Sequence, residues 1–247
     1  MLFPTPLIPS RLLRRYKRFL ADVILPDGSE AIVHCPNPGS MLGLAEPGTI
    51  CWLRDHRGSN RKLPFGWELT ELADSGKPGR LVGINTGLAN AIVAEALAER
   101  RVSAFAGYDA IRREVQVGSK SRLDFQLDRH VTGEADQICY LEVKSVTLGR
   151  QAGLAEFPDS RTARGARHLL ELAALAAAGH RAVLLFLVQR DDCDRVRCAG
   201  DIDPWYQATL RQLAGAVEIR AYGCDIRRED GRPVAITLTD EMPVEDI

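Results

Sequence analysis

Two short segments in which polar and apolar residues alternate constrain this chain more than any other feature, because such alternation is the signature of a half-buried β-strand. The first segment covers residues 121–128, where Asp124 stands between two apolar residues and therefore points away from the apolar stripe. The second covers residues 138–146, where the alternation places Glu142 and Lys144 on one face. If the two strands are neighbours, three charged side chains meet at one place.

Two carboxylates and one ammonium group are the side chains that metal-dependent phosphodiester hydrolysis requires. The carboxylates of Asp124 and Glu142 can hold a hard divalent cation, Mg²⁺ or Mn²⁺, that polarises a phosphate and activates a water molecule. Lys144 can orient that water or stabilise charge on the phosphorus. This is the layout of the PD-(D/E)xK nucleases, so we predict these three residues as catalytic. The alternative is a plain ion pair on a solvated sheet face.

The second part of the chain alternates between helices and strands. Helices are predicted over residues 86–100, 160–178 and 203–213, and strands over residues 111–117, 122–128, 139–146, 182–189 and 217–226. Asp159 or Ser160 is the predicted N-cap of the second helix, and Gly179 its C-cap. The order αβββαβ is that of the PD-(D/E)xK core.

The first part of the chain predicts only strands. Five short candidates, separated by Gly- and Pro-rich turns, cover residues 17–25, 30–35, 49–54, 62–72 and 80–84. This number suits an OB-like barrel, a fold that does not by itself name a ligand. We therefore predict an α+β protein of two domains, an OB-like nucleic-acid-binding β-barrel at residues 1–84 and a PD-(D/E)xK nuclease-like α/β domain at residues 85–247.

The formal net charge of −1 conceals an uneven distribution. Residues 1–84 carry 11 Lys and Arg against 8 Asp and Glu, whereas residues 85–247 carry 21 against 25. Cations and an aromatic ring are interleaved in the first part, as in surfaces that bind nucleic-acid backbones and stack bases. The predicted DNA-binding residues there are Arg14, Arg15, Tyr16, Lys17, Arg18, Arg61 and Lys62. A solvated strand edge is the alternative.

Three helical residues complete the predicted site. Glu95 borders the apolar stripe of the first helix, from which nucleases of this fold often take a further carboxylate, so it is a candidate metal ligand; an exposed glutamate is the alternative. Arg164 and His168 lie near the start of the second helix, where the positive end of the helix dipole also attracts phosphate. They are candidate DNA contacts or ordinary surface groups.

The chain also resembles, nearly end to end, the sugar fermentation stimulation protein A family of bacteria. The stretches that carry the resemblance are Arg15-Tyr-Lys-Arg-Phe-Leu-Ala-Asp-Val23, His34-Cys-Pro-Asn37, Gly118-Ser-Lys-Ser-Arg-Leu-Asp-Phe125, Tyr140-Leu-Glu-Val-Lys-Ser-Val-Thr147, Phe157-Pro-Asp159 and His180-Arg-Ala-Val183. The resemblance implies an OB-like domain, a PD-(D/E)xK-like domain, sequence-nonspecific DNA binding and a regulatory role in maltose metabolism. Relatives usually carry Glu at Ala163, Gln at Ala166 and Thr at Pro38, so any function of those polar groups is lost.

Two other function classes remain open. A noncatalytic DNA-binding regulator of sugar metabolism would keep the charges as a binding surface, and an OB-type saccharide binder would use the first domain alone. The longest apolar run, residues 182–188, is too short to cross a bilayer. The N-terminal residues lack the pattern of a secretory signal. The six cysteines show no close, repeated spacing, which predicts reduced thiols and no zinc site. We therefore expect a cytoplasmic protein; the sequence leaves its oligomeric state open.

Overall fold

The computed structural model describes residues 1–74, 77–118, 121–130, 132 and 137–246. Ser119 and Lys120, which belong to one of the stretches that carry the family resemblance, lie outside these ranges. The described chain has the predicted α+β fold, with a β-barrel followed by an α/β domain.

The barrel is a ring of five strands closed by one parallel contact. Its strands are β1 Ile8–Tyr16, β2 Leu20–Ile24, β3 Glu30–His34, β4 Ile50–Asp55 and β5 Phe65–Asp74. They pair in the order β3-β2-β1-β4-β5, and His34 pairs with Gly66 to close the ring. A sixth strand, β6 Lys77–Gly83, extends the sheet beyond β5. Trp67 and Leu53, both fully buried, help to fill the interior.

The start of the barrel differs from its prediction. The pattern predicts one strand from residue 17, whereas Lys17 and Arg18 form a left-handed turn, with φ of 49° and 64°, between β1 and β2. β1 itself was missed because its proline and its arginines are not typical of a strand. Pro9 nevertheless lies in β1, opposite Trp52 of β4. The ring is therefore β1–β5, and the predicted fifth strand is β6, outside it.

The α/β domain contains three α-helices, a short 3-10 helix at Ser103–Phe105 and ten further strands among the described residues. The helices are α1 Gly87–Ala98, α2 Ala163–Ala177 and α3 Pro204–Leu213. The strands are β7 Ala110–Val117, β8 Ser121–Arg129, β9 Gln137–Val146, β10 Leu148–Gln151, β11 Gly153–Phe157, β12 Arg181–Val188, β13 Cys193–Cys198, β14 Glu218–Glu229, β15 Arg232–Met242 and β16 Val244–Glu245.

The main sheet has the order β15-β14-β12-β9-β8-β7, and β12 runs parallel to both of its neighbours. Along the chain, α1-β7-β8-β9-α2-β12 reproduces the predicted αβββαβ core. On one sheet face, Ile92 of α1 belongs to the same buried cluster as Leu141. On the other face, Leu169 of α2 and Leu210 of α3 share a cluster with Phe186. Each such side chain contributes about 1.5–3 kcal/mol by leaving water.

A second sheet, in the order β10-β11-β13-β16, was not predicted. Its strand β13 occupies the segment from Cys193 to Cys198 that reads as a polar loop. All six cysteines are free and five are buried, as predicted. Helix α2 begins later than predicted, because Thr162 is its N-cap and accepts a hydrogen bond from the N–H of Gly165 at 3.0 Å. Gly179, with φ of 90°, follows its C-terminal end.

The barrel is joined to the α/β domain by hydrogen bonds as well as by the chain. The N–H of Gly83 donates to the carbonyl of Gln189 at 2.7 Å, and the N–H of Leu81 donates to the side-chain Oδ1 of Asp191 at 2.9 Å. The proposed division between residues 84 and 85 falls between β6 and α1. No α-helix in the described part of the chain is both long enough and apolar enough to cross a bilayer.

Candidate metal centre and its cleft

The predicted acidic pair lies where β8 and β9 separate. The two strands pair antiparallel from Arg129 and Gln137 as far as Phe125 and Leu141. At the next position the carboxylate of Asp124, through Oδ2, accepts the N–H of Val143 at 2.8 Å. The carboxylate of Asp124 thus takes the place of a backbone carbonyl as the acceptor for Val143. Where the two strands separate, this hydrogen bond keeps Asp124 next to the residues of β9.

Glu142 and Lys144 lie on one face of β9, as the alternation predicts. The ammonium group of Lys144 donates to Oε1 of Glu142 at 2.6 Å. Leu141 and Val143 point to the opposite face and enter the core beneath α1. The structure therefore brings together all three predicted catalytic residues, Asp124, Glu142 and Lys144, which also line a common cleft.

His168 reaches this cluster from α2. Its Nδ1 is hydrogen-bonded to Oε1 of Glu142, and its Nε2 lies 3.3 Å from Nε of Arg164. The imidazole is buried. The structure therefore turns the ring of His168, predicted as a DNA contact, towards Glu142. Arg164 is exposed, and a residue four positions later lies on the same side of a helix, so the sequence predicts that His168 is exposed as well. Only the packing of α2 shows that its ring points inward.

The two carboxylates differ in protonation behaviour. Burial and the adjacent charge of Glu142 raise the pKa of Asp124 to about 6. Burial alone would also raise the pKa of Glu142, but the hydrogen bond from His168 and the charge of Lys144 outweigh it and lower that pKa. Oε2 of Glu142 is buried and has no hydrogen-bond partner among the described residues. The ionised carboxylate of Glu142 therefore keeps one oxygen, Oε2, that is shielded from water and is not paired with a cationic group in the described part of the chain.

Helix α1 contributes Asn90 rather than Glu95. The amide Nδ2 of Asn90 donates to Oδ1 of Asp124 at 2.7 Å. Glu95 follows five residues later, which rotates it by roughly 140° around the helix. It pairs with the amino group of Met1 at 2.5 Å and with Arg101 at 3.4 Å. The structure therefore does not bring Glu95, the predicted metal ligand, to the acidic pair, because the border of an apolar stripe does not specify which side of the helix faces that pair.

The residues present fit a cation that keeps part of its water shell. No group of three His, Cys, Asp or Glu side chains within the described ranges is arranged to hold a metal ion. The pair Asp124 and Glu142 offers oxygen donors only, the ligand type of Mg²⁺, which usually retains waters and takes one or two protein carboxylates. This arrangement suits an open, hydrated site.

The acidic pair lies in a cleft of about 630 Å³ that both domains line. The barrel contributes Arg18 and the loop Asn37–Gly39, and the α/β domain contributes residues 158–164 and Asn90. The two walls are joined by hydrogen bonds, since the hydroxyl of Ser40 donates to the carbonyl of Asp159 at 2.6 Å. The cleft is therefore a composite of the two domains.

Arg15, predicted to bind DNA, holds the barrel loop in place. Its guanidinium donates to the carbonyls of Asn37 at 2.8 Å, Gly39 at 2.9 Å and Ser40 at 3.2 Å, and to that of Arg18 at 3.1 Å. A side chain with this many backbone acceptors is committed to the loop. Arg15, predicted as a DNA contact, therefore supports the cleft wall.

The other predicted DNA-binding residues are spread over the surface. Arg14 and Tyr16 both donate to Asp22, at 2.7 Å and 2.9 Å. Lys17 is exposed in the turn between β1 and β2, and Arg61 and Lys62 are exposed between β4 and β5. Arg18 and Arg164 are exposed and line the cleft. The structure thus places two of the predicted cations beside the acidic pair.

Comparisons with known proteins agree with this architecture. Residues 13–84 match the profile described as SfsA N-terminal OB domain, and residues 87–230 match the one described as Sugar fermentation stimulation protein RE domain. The chain is 56% identical to a Sugar fermentation stimulation protein homolog of Rhodospirillum centenum, over 96% of this chain and 98% of that protein. It is 54% identical to a homolog of Ruegeria sp., over 98% of this chain and all of that protein.

A solved structure is also similar throughout. It is described as the structure of Pyrococcus furiosus SfsA in complex with Ca²⁺ and superposes with a TM-score of 0.84 at 28% identity, covering 100% of this chain and 98% of that one. The fold and the cleft define a two-domain protein that couples an OB barrel to a PD-(D/E)xK-like α/β domain. With both domains matched and relatives above 50% identity along nearly its whole length, the chain belongs to the sugar fermentation stimulation protein family.

Proposed function

We propose that this protein is a metal-dependent DNA phosphodiesterase, whose cation, Mg²⁺ or Mn²⁺, is held by Asp124 and Glu142. The observation that carries the proposal is the buried, unpartnered Oε2 of Glu142 beside the carboxylate of Asp124. A desolvated anionic oxygen is costly unless it meets a cation. The Ca²⁺ bound by the similar Pyrococcus furiosus protein supports an oxygen-liganded divalent site in the family.

A divalent cation bound at this position would supply Lewis-acid polarisation of a phosphate and a more acidic water. The protein's own groups would do the positioning. Asn90 and the N–H of Val143 hold Asp124 in place, at 2.7 Å and 2.8 Å. Lys144 holds a positive charge against Glu142 and lines the cleft, where its ammonium protons can orient water or stabilise phosphate charge.

The proposed substrate is DNA without sequence preference. Arg18 and Arg164 are exposed cations in the cleft, on opposite domains, and can pair with successive phosphates. Such contacts to the backbone position a strand without reading its bases. Lys17, Arg61 and Lys62, exposed on the barrel, would extend the electrostatic attraction beyond the cleft.

A second candidate is a noncatalytic DNA-binding regulator. One observation favours it: Oε1 of Glu142 already accepts hydrogen bonds from Lys144 and His168, so the cluster is partly neutralised without a cation. In that case the cleft would bind phosphate through its arginines, and Asp124 and Glu142 would stabilise the junction of β8 and β9.

Incubation of the purified protein with single- and double-stranded DNA in Mg²⁺, Mn²⁺ or EDTA separates the two candidates. We expect cation-dependent cleavage that Glu142→Gln and Asp124→Asn abolish, while DNA binding, scored by gel shift in EDTA, persists. Glu114→Gln, at an exposed glutamate of β7, is the matched control and should cleave like the unmodified protein. Binding without cleavage under every condition would reject the phosphodiesterase and leave the regulator.

A further inference from the structure

The hydrogen-bond partners of His168 fix which of its ring nitrogens carries the proton. Nε of Arg164 can only donate, because a guanidinium has no acceptor. It lies 3.3 Å from Nε2 of His168, so Nε2 must be the accepting nitrogen. Nζ of Lys144 also lies 3.4 Å from Nδ1, but it donates to Oε1 of Glu142 at the much shorter distance of 2.6 Å. Nδ1 then carries the hydrogen and donates to the same Oε1. The pair of partners thus selects the neutral Nδ1–H tautomer.

This donation determines how the Glu142 carboxylate is turned. The terminal torsion of a glutamate is broad and roughly two-fold, so one donor does not fix it. Two donors, Nζ of Lys144 at 2.6 Å and Nδ1 of His168, converge on the same oxygen, Oε1. The other oxygen, Oε2, is left buried and without a hydrogen-bond partner in the described part of the chain.

We propose that His168 is a positioning residue for the cation site, and that its Nδ1–H, held in that tautomer by Arg164, orients Glu142 so that Oε2 is presented to the cation. The inference rests on the proposed cation site but not on DNA cleavage. Imidazole and carboxylate groups that support metal ligands in this way typically change metal affinity or activity 10–100-fold when they are replaced.

Arg164, His168 and Glu142 form a chain of contacts that runs from the cleft wall to its base. Arg164 lies four residues before His168, one helical turn towards the N-terminus of α2, where its side chain is exposed in the cleft. His168 is buried beneath it, and Glu142 is buried beyond. The contacts therefore connect a cation on the cleft wall with the orientation of a carboxylate at its base.

Two amide substitutions distinguish positioning from simple filling of space. In His168→Asn the amide nitrogen takes the place of Nδ1 and can still donate to Glu142, whereas in His168→Gln it takes the place of Nε2. Calorimetric titration with Mn²⁺ and Ca²⁺, without DNA, measures the effect. We expect His168→Asn to retain most of the affinity, and His168→Gln and the non-polar variant His168→Leu to lose about 10–100-fold. Equal losses in Asn and Gln, or a smaller loss in Gln, would overturn the proposal.

A second measurement detects the tautomer itself. The ¹⁵N shifts of the His168 imidazole should report a neutral ring protonated at Nδ1 in the unmodified protein and a mixed population in Arg164→Gln. Arg167→Gln, an exposed arginine of the same helix that is not among the cleft-lining residues described, is the control and should leave the shifts unchanged. A ring protonated at Nε2 in the unmodified protein would refute the assignment.

Failure of the proposal and failure of the proposed function give different results. If Mn²⁺ binds and His168→Asn and His168→Gln behave as expected but DNA is not cleaved, the positioning role stands and the phosphodiesterase falls. If cleavage requires Glu142 but both amide variants bind Mn²⁺ like the unmodified protein, only the positioning role falls. If no cation binds, or Glu142→Gln binds it normally, both are wrong. Thermal unfolding of each variant in EDTA verifies that it is folded.

Discussion

The carboxylate of Asp124 accepts the backbone N–H of Val143 at 2.8 Å, at the position where the pairing of β8 and β9 ends. Asp124 therefore has two tasks. It satisfies a strand N–H that would otherwise lack its acceptor, and it places a buried anionic oxygen beside Glu142. Burial, together with the charge of Glu142, raises the pKa of Asp124 to about 6. The cation-free protein consequently stores electrostatic repulsion at the junction of the two strands.

Asp124→Asn should stabilise the cation-free protein at neutral pH. An acid whose pKa rises from 3.8 in the unfolded chain to about 6 in the folded protein costs stability above pH 6, where it is ionised in both states. Asparagine keeps an acceptor for Val143 without the charge. We expect a gain on the order of 1 kcal/mol at pH 8 in EDTA, decreasing between pH 6 and 4.

Urea denaturation at pH 4, 6 and 8 measures this gain. Asp194→Asn, which makes the same chemical change at an exposed position of β13, is the control. A pH-independent loss of stability in Asp124→Asn would contradict the predicted repulsion. Added Mn²⁺ should raise the melting temperature of the unmodified protein but not that of this variant.

The sequence was sufficient to predict what depends on local periodicity. Alternation placed Glu142 and Lys144 on one face of β9, and the same kind of pattern located α1, α2 and the αβββαβ order. Which helical side chains face the site depends on how the packed helices and strands are tilted and rotated, and this could not be predicted. Asn90 rather than Glu95 faces Asp124, and His168 is buried although it follows exposed Arg164 on the helix. Both outcomes are set by tertiary packing, which periodicity does not encode.

The missed strand β1 has a different cause. Its proline and its exposed arginines contradict the usual composition of strands. Pro9 is nevertheless accommodated near the start of β1, opposite Trp52, and Leu12 is buried in the barrel. Long-range pairing with β2 and β4 therefore overrides local preference.

Gly39→Ala should weaken the connection between the two walls of the cleft. A Cβ at this position would lie 2.6 Å from Cγ of Asp159, well inside van der Waals contact. Asp159 cannot withdraw freely, because its carboxylate accepts the N–H of Met41 at 3.1 Å. We expect a loss of about 1–3 kcal/mol in urea denaturation. In Gly215→Ala the new Cβ would meet no heavy atom within 4 Å, so that control should show no comparable loss.

Asp203→Ala should destabilise two helix N-termini at once. Asp203 is the N-cap of α3, where it accepts the N–H of Tyr206 at 3.0 Å, and it also accepts the N–H of Thr162, the N-cap of α2, at 2.8 Å. A single cap is worth about 1 kcal/mol, so the loss should approach about 2 kcal/mol. Asp203→Asn keeps one acceptor oxygen and should lose less. Equal stability of the Ala variant and the unmodified protein would show that neither bond contributes.

Arg15→Lys and Arg14→Lys form a matched pair that tests which cation supports the cleft. Both keep the charge, but lysine cannot reproduce the fork that lets Arg15 reach the carbonyls of Asn37, Gly39 and Ser40. Arg14 is mostly exposed and donates to Asp22 on a neighbouring strand, so its replacement should change stability by less than about 0.5 kcal/mol.

For Arg15→Lys we expect a loss of about 1–2 kcal/mol, because up to three backbone carbonyls lose a charged donor. Faster amide hydrogen exchange in the loop that contains Gly39 and Ser40 should accompany it, with the core of β9 unchanged. If instead both variants exchange alike and differ only in the salt dependence of DNA binding, Arg15 acts through phosphate and not through the loop. The exchange measurement thus separates a residue that shapes the cleft from one that contacts its ligand.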